Sequence, residues 1–152
     1  ADRFVESRRL EGENLKEDLM KKLDYMAELV DYIEERSPQI VAEYRKKLEE
    51  KVREFLESAA VDENRIAAEV TVFADKVCVD EETVRLRSHM DHTRSELKAG
   101  GSIGRKLDFI AQEMNREANT ILSKANDLEV SEKAIALKTE IEKVREQIQN
   151  IE

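Results

Sequence analysis

A polar stripe on one predicted helix is the part of this sequence best suited to chemistry. Between Gly104 and Lys124 the apolar residues recur at helical spacing and gather on one side. The opposite side carries Arg105, Asp108, Gln112, Arg116, Asn119 and Ser123. Asn and Ser are mediocre helix formers, and a face that only meets solvent usually carries interchangeable Lys and Glu. The stripe therefore indicates either a ligand-binding site or a polar interface with a neighbouring helix, where buried amides find partners.

The edge of the same helix carries two carboxylates and a cation. Glu113 and Glu117 lie one turn apart, and Lys124 lies further along. Two carboxylates at this spacing can share a Mg²⁺ or Mn²⁺ ion, although the spacing is equally ordinary for a charged helix edge. On the adjoining face are the side chains suited to orienting water or a metal's hydration shell: Asp108, Gln112 and Asn119.

One histidine is the best single candidate for proton transfer. His89 lies on the predicted helix that precedes Gly104. It shares one flank of that helix with Glu82 and Arg85, beside the helix's apolar stripe. Histidine side chains can either bind a metal or carry a proton. A histidine that is merely solvated is the ordinary alternative at such a position. No Cys/His zinc spacing, phosphate-binding glycine loop or Ser/His nucleophile motif is present in the sequence.

Helices must position these residues, because the composition is typical of an all-α protein. The 152 residues are 40% hydrophobic and 40% charged, with four Gly, one Pro and no Trp. This length suits one domain or two small helical units. A single cysteine excludes an internal disulfide and suits a reducing compartment. No apolar run approaches the length of a membrane span.

Residues 1–60 are predicted to form a long antiparallel α-hairpin. Apolar residues at helical spacing predict a first helix from about Asp2 to about Glu35. Ser37 is then suited to cap a second helix, with Pro38 at its first position. Because the join is so short, the two helices are expected to pack against each other.

Residues 61–152 are predicted to form a helical bundle that ends in a coiled-coil-like helix. Asp62 and Asp80 are expected to cap new helices. Gly100 and Gly101 predict a loop, and Ser102 is expected to cap the helix that follows this loop. The last helix is expected to start at Ser131. Its apolar residues alternate spacings of three and four: Ala134, Leu137, Ile141, Val144, Ile148 and Ile151. This seam fits packing inside the chain and packing between subunits equally well.

The chain resembles the YicC/YloC family over essentially its whole length. The longest match is the gap-free run GRxLDFxxQExNRExNTxxSK, from Gly104 to Lys124. Further similar segments are Arg8 or Arg9 with Glu11-Gly12-x-x-Leu15, Glu69, Glu81-Glu82-x-x-Arg85-Leu86-x-x-His89, and the closing residues 145–152. Cys78 departs from the pattern, because the family usually has Asp there, and this puts any role of that position in doubt.

The resemblance implies a function that the residues alone do not define. Family members are stress-associated proteins of the bacterial cytoplasm, regarded as metal-dependent endoribonucleases acting on single-stranded RNA. They form ring-like homo-oligomers, for which a hexamer is one arrangement, and no membrane or DNA partner is expected. Members are about twice as long and begin with an α+β domain, so we interpret this chain as a carboxy-terminal fragment. The alternative is a non-catalytic scaffold or adaptor that binds RNA, or assembles the ring, for another ribonuclease.

RNA cleavage needs a base, an acid and positive charge at the phosphorus. The predicted site residues are assigned to these tasks by their side-chain chemistry. The catalytic candidates are His89, Glu82, Asp108, Gln112 and Asn119. The predicted phosphate contacts are Arg85, Arg105, Arg116 and Lys124, with Arg suited to bidentate contact. The predicted ligands of Mg²⁺ or Mn²⁺ are Glu113, Glu117 and His89.

The charge and the aromatic content limit how the chain can recognise RNA. A net charge of −9 requires the basic residues to be concentrated locally if RNA is bound. With three Tyr, four Phe and no Trp, stacking surfaces are scarce. The sequence therefore predicts cleavage that is blind to base identity, or dependent on RNA ends, rather than base readout.

Overall fold

The computed structural model describes residues 2–56 and 60–150, and these residues form helices joined by short connections. The helices are α1 (Asp2–Leu56), α2 (Glu63–Val77), α3 (Asp80–Ala99), α4 (Gly104–Lys124) and α5 (Leu128–Gln149). The predicted all-α class is confirmed for this part of the chain.

The middle of α1 packs with α3, α4 and α5 around one hydrophobic core. Neighbouring helices of this core run antiparallel, and an ion pair joins each two neighbours. Arg87 with Glu34 joins α3 to α1, and Lys124 with Glu82 joins α4 to α3. Arg145 with Asp108 joins α5 to α4, and Arg36 with Asp127 joins α1 to the start of α5. The core takes side chains from both of the predicted segments 1–60 and 61–152, among them Leu23, Met26, Leu86, Met114 and Ile141. The signature helix α4 is therefore held between α3 and α5, and one face remains outside.

The predicted hairpin is wrong, because α1 runs unbroken through Ser37 and Pro38. Proline removes one helical hydrogen bond and usually kinks or ends a helix. Here the Ser37 hydroxyl donates to the Ile33 carbonyl at 2.7 Å, and Arg36 bridges the proline turn by pairing with Glu43 at 2.8 Å. Ile33 is fully buried on one side of the proline and Ile40 packs against the core on the other. Packing and side-chain bridges on both sides thus hold one helix together.

Helix α2 packs on the distal part of α1 rather than on the four-helix core. The rings of Tyr44 and Phe73 stack with centroids 3.8 Å apart, and Ile66 and Val70 are buried. The predicted cap at Asp62 is confirmed, since its side chain accepts hydrogen bonds from the backbone N–H groups of the first turn.

The caps of the other helices differ from the prediction. Helix α3 begins at Asp80, but Val79 occupies the cap position and no side chain caps it. Gly100 and Gly101 form the predicted loop with φ of 71° and 84°, a backbone region that favours glycine. Ile103, not Ser102, precedes α4.

Helix α5 begins at Leu128, one turn before the predicted Ser131, because Asp127 caps it. The Asp127 carboxylate accepts from the Val130 N–H at 3.2 Å and from Arg36 at 3.0 Å, so one side chain both caps α5 and ties it to α1. The hydrogen bond from Arg36 is the main reason why the pKa of Asp127 is lowered.

The apolar seam of α5 belongs to the core of the same chain. Ala134, Leu137, Ile141, Val144 and Ile148 are at most 1% exposed. Helix α5 packs against α4 and α1 of its own chain. The last predicted seam residue, Ile151, lies outside the described residues. For the described seam residues, from Ala134 to Ile148, the alternative of packing inside the chain is the correct one.

Candidate functional site

The polar stripe of α4 forms an open face that the helices around it leave uncovered. Gln112, Arg116 and Asn119 are exposed, opposite the buried side of the helix. Six side chains line a shallow groove of about 560 Å³ along this face: Gln112, Asn115, Arg116, Asn119, Thr120 and Ser123. We call these six residues the α4 groove. Exposed amides are not the buried amides of an interface within this chain, so the groove remains available to a ligand or to another protein molecule.

Asp108 lies at the border between this face and α5. Its carboxylate accepts from the Gln112 side-chain amide at 2.9 Å and from Arg145 Nε at 3.3 Å. The hydrogen bond to Asp108 is the main cause of the raised pKa of Arg145. Asp108 therefore orients Gln112 at the groove and links α4 to α5, while its predicted catalytic role stays a prediction.

Four predicted site residues meet between α3 and α4, and we call them the α3–α4 charge cluster: Glu82, Arg85, Glu117 and Lys124. Arg85 Nε donates to Glu117 Oε1 at 2.9 Å, and Lys124 Nζ donates to Glu82 Oε1 at 3.0 Å. Arg85 also lies 3.7 Å from the same Glu82 oxygen. Lys124 further donates to the backbone carbonyl of Cys78, whose side chain is exposed.

The charge cluster is already neutralised within the chain. The side chains of Glu82 and Glu117 are 4% and 9% exposed, so each must keep a cation beside it. The pKa of Arg85 is raised, mainly because Arg85 hydrogen-bonds to Glu117. Arg85 and Lys124 are therefore engaged with carboxylates and Glu117 with a guanidinium, which weakens their predicted roles as phosphate and metal ligands. Their evident effect is to fix α3 against α4.

His89 lies beside this cluster without belonging to it. The pairs of Glu117 with Arg85 and of Lys106 with Glu96 set the antiparallel register, which places His89 at the level of Glu113. Both side chains are half-buried. In the helices as described, the His89 imidazole has no hydrogen bond or ion pair, so it remains available for proton transfer at the edge of α3.

The predicted metal ligands do not come together as one ligand set. Among residues 2–56 and 60–150, no three His, Cys, Asp or Glu side chains are placed to hold a single ion. Of the three predicted metal ligands, Glu117 is bound to Arg85, whereas His89 and Glu113 lie outside the charge cluster. This arrangement alone is not a complete metal site.

Two arginines on the outer face of α4 are the cations best placed to bind phosphate. Arg116 is 75% exposed, and its nearest carboxylate, that of Glu113, is 4.0 Å away. Arg105 is exposed and makes no ion pair or side-chain hydrogen bond with any described residue. Both can turn their guanidinium groups toward a bound anion.

The sequence pattern missed two groove residues and one anchor. Asn115 and Thr120 line the groove but lie at the margins of the stripe, and a wider arc on the helix would have included them. Arg145 was missed because its contact with Asp108 joins residues that are far apart in sequence.

Comparisons with known proteins find relatives along almost the whole chain. The family model described as "Endoribonuclease YicC-like, C-terminal" matches residues 33–152. A protein of Clostridioides difficile named "Probable endoribonuclease YicC" is 44% identical over 97% of this chain and 50% of its own length. A protein of Haemophilus influenzae with the same name is 37% identical over 98% of this chain and 51% of its own length. The chain thus spans about half the length of the curated relatives it matches.

Proposed function

This chain belongs to the family of YicC-like endoribonucleases, and we propose that it supplies the surface on which such an enzyme binds and cleaves single-stranded RNA. The observation that carries the proposal is the α4 groove, in which amides and an arginine with no close ion pair face solvent on an otherwise well-packed helix. Amides that only met solvent would have been replaceable by better helix formers.

Binding would combine charge with directed hydrogen bonds. Arg105 and Arg116 would contact the phosphate groups of the strand, since guanidinium groups bind phosphate with bidentate geometry. Gln112 and Asn119 would meet the 2′-hydroxyl groups and base edges, which an unpaired strand leaves open. The shallow, one-sided groove suits such a strand. A net charge of −9 is compatible with this because phosphate binding depends on the local concentration of cations and not on the average charge of the chain.

His89 is our candidate for the proton transfer of the cleavage step. A proton must leave the attacking oxygen and another must reach the leaving oxygen, and imidazole performs either transfer near neutral pH. Glu82, with its buried ion pair, is assigned to positioning rather than to contact with substrate. Asp108 positions Gln112 in the same way.

Metal dependence remains part of the proposal as a property to be measured. Mg²⁺ is often held by only one or two carboxylates together with substrate phosphates. Glu113 is the predicted carboxylate ligand that lies outside the charge cluster. Because the described side chains offer no complete ligand set, we derive no step of the reaction through a metal ion.

Assembly and location are proposals that rest on the family. A ring-like homo-oligomer fits the exposure of large apolar side chains at the carboxy-terminal end of α1, where Phe55 is 88% and Leu56 is 40% exposed. A place in the bacterial cytoplasm rests on the resemblance alone. Within the described ranges, no helix has an apolar stretch long enough to cross a bilayer.

The proposal is tested by incubating purified protein, free of host nucleases, with an end-labelled single strand and with the same sequence as a duplex. We expect internal cleavage of the single strand that stops when EDTA is added. His89→Ala should abolish cleavage, whereas His92→Ala is the matched control, because His92 is an exposed histidine of the same helix that pairs only with Glu96. Equal cleavage by the two variants would remove His89 from the mechanism.

The alternative function is a non-catalytic scaffold that binds RNA for another ribonuclease. The ion pairs of Arg85 with Glu117 and of Lys124 with Glu82 favour it, because they engage two predicted phosphate contacts, one predicted metal ligand and one predicted catalytic residue. Tight binding of the single strand without any cleavage, by the full-length protein as well, would establish this alternative.

A further inference from the structure

Phe109 places an exposed aromatic ring beside the polar face of α4. Its exposed fraction is 63%, whereas Leu107 and Ile110 beside it in sequence are buried. At helical spacing, Phe109 projects within about 20° of Arg116 and about 40° of Arg105, so it lies at the margin of the polar face on the side of these two arginines. A single exposed apolar side chain is ordinary on a protein surface, but an aromatic ring beside a polar groove and two arginines offers a surface on which a base can stack.

The ring of Phe109 has no aromatic or cationic partner in the part of the chain that the structure describes. Phe4, with a similar exposed fraction of 65%, differs because the Arg8 guanidinium lies 5.0 Å from its ring centre. With 63% of its surface exposed, the Phe109 ring is therefore accessible to an outside group. On the side of the ring toward the groove the cations are Arg105, one turn before the ring, and Arg116, two turns after it, whereas Lys106 lies on the other side and is 4.0 Å from Glu96.

We propose that Phe109 is a stacking platform for an unpaired nucleobase of the RNA, with the phosphates on either side of that base bound by Arg105 and Arg116. Along the helix axis the ring lies about 6 Å from Arg105 and about 10 Å from Arg116, distances that the long arginine side chains can cover. This inference rests on the proposed function and names how that site holds its substrate.

The chemistry of the surroundings favours RNA over a second protein chain as the occupant. Arg116 has no carboxylate closer than 4.0 Å, so the two flanking arginines offer positive charge to an anionic partner. Every base has a π face, so stacking holds an unpaired strand without reading its sequence. One aromatic platform is therefore consistent with the predicted indifference to base identity, and it also excludes paired bases, whose faces are covered.

The test measures binding of a fluorescent single-stranded oligonucleotide, under conditions that prevent cleavage, by the full chain and by variants of Phe109. Phe109→Ala should weaken binding about five- to 150-fold, which is the range that alanine substitution gives for one base stacked on an aromatic ring. Phe109→Trp should retain the affinity, while Phe109→Leu, which is apolar but not aromatic, should lose most of it. Phe4→Ala is the matched control and should leave the affinity unchanged.

A strand containing one 2-aminopurine gives a direct readout of stacking. Its fluorescence should fall on binding to the wild-type chain and to Phe109→Trp, but not on binding to Phe109→Leu. If the wild-type chain binds RNA and Phe109→Ala binds equally well, the stacking proposal is overturned and the proposed function stands. If Phe109→Ala and Phe4→Ala weaken binding equally, or if Phe109→Ala changes the sedimentation coefficient, the ring serves a general or intersubunit role instead. If the wild-type chain binds no RNA, the proposed function fails as well.

Discussion

Replacing Lys124 by methionine tests whether the α3–α4 charge cluster is a structural cross-link. The substitution keeps an unbranched side chain of similar length and removes the ammonium group that donates to Glu82 at 3.0 Å. The Glu82 side chain is 4% exposed, and its Oε2 atom is already buried without a hydrogen-bond partner among the described residues. Lys124→Met therefore leaves a buried carboxylate with Arg85, 3.7 Å away, as its remaining cation.

The size of the loss follows from this geometry. Breaking a fully buried ion pair costs about 3–5 kcal/mol. Because Lys124 is 37% exposed and Arg85 stays close, we expect about 2 kcal/mol, near the middle of the range for leaving a buried acceptor unsatisfied. For a domain of this size the melting temperature should fall by about 4–8 °C.

The assay is urea unfolding at pH 7, followed by circular dichroism. Lys106→Met is the matched control, because Lys106 lies on the same helix, is 69% exposed and reaches Glu96 only at 4.0 Å. It should change the free energy of unfolding by less than about 0.5 kcal/mol. The double variant Glu82→Gln/Lys124→Met should lose less than the sum of the two single variants. If Lys124→Met is as stable as the control while RNA binding falls, Lys124 is a phosphate ligand and the structural interpretation is refuted.

Three further predictions concern the groove, the α5 cap and the seam. Arg116→Ala should reduce the slope of log affinity for single-stranded RNA against log salt concentration by about 0.7, while Arg9→Ala, at an arginine that is 68% exposed, should not. Asp127→Asn keeps a cap but removes the charge, so it should lower the free energy of unfolding by about 1–2 kcal/mol at pH 7. The pKa of Asp127 is lower in the folded state than in the unfolded state. The difference in free energy of unfolding between Asp127→Asn and the wild type should therefore be complete above the unfolded pKa and should vanish as the pH falls through the folded pKa. A difference that is unchanged in acid would contradict the ion pair of Asp127 with Arg36 as its cause. Ile141→Asp places a charge at a fully buried position and should unfold the chain. The control Ile135→Asp, at a residue of the same helix that is 52% exposed, should keep a melting temperature near that of the wild type. A folded Ile141→Asp variant of smaller mass would instead place the seam between subunits.

Periodicity was sufficient to predict most of the helices but not the continuity of α1. The buried stripe of α4 and the seam of α5 follow from spacing alone, because a helix must bury its apolar side. Ser37-Pro38 is a reasonable helix start in isolation. It was overridden by contacts that no local pattern contains, above all the pairing of Arg36 with Asp127, 91 residues away. The same distant contact explains why α5 begins earlier than predicted.

For the candidate site, the sequence indicated which residues are near one another but not which of them are free. Helical spacing placed Gln112, Arg116 and Asn119 on one exposed face, as the structure does. It could not show that Arg85 and Lys124 would each meet a carboxylate, because those pairs form between two helices whose register depends on the whole bundle.

The central claim, that the α4 groove is where RNA is bound and cleaved, is tested most directly by the initial cleavage rate of the double variant Gln112→Ala/Asn119→Ala. Both side chains are exposed, so each substitution should change the free energy of unfolding by no more than about 0.5 kcal/mol. Two lost hydrogen bonds of about 1 kcal/mol each should slow cleavage of a labelled single strand at least about tenfold. Asn14→Ala, at an exposed asparagine of α1, is the control and should cleave normally. A double variant that cleaves at the wild-type rate, beside an active wild type, would contradict the claim and move the site away from this face.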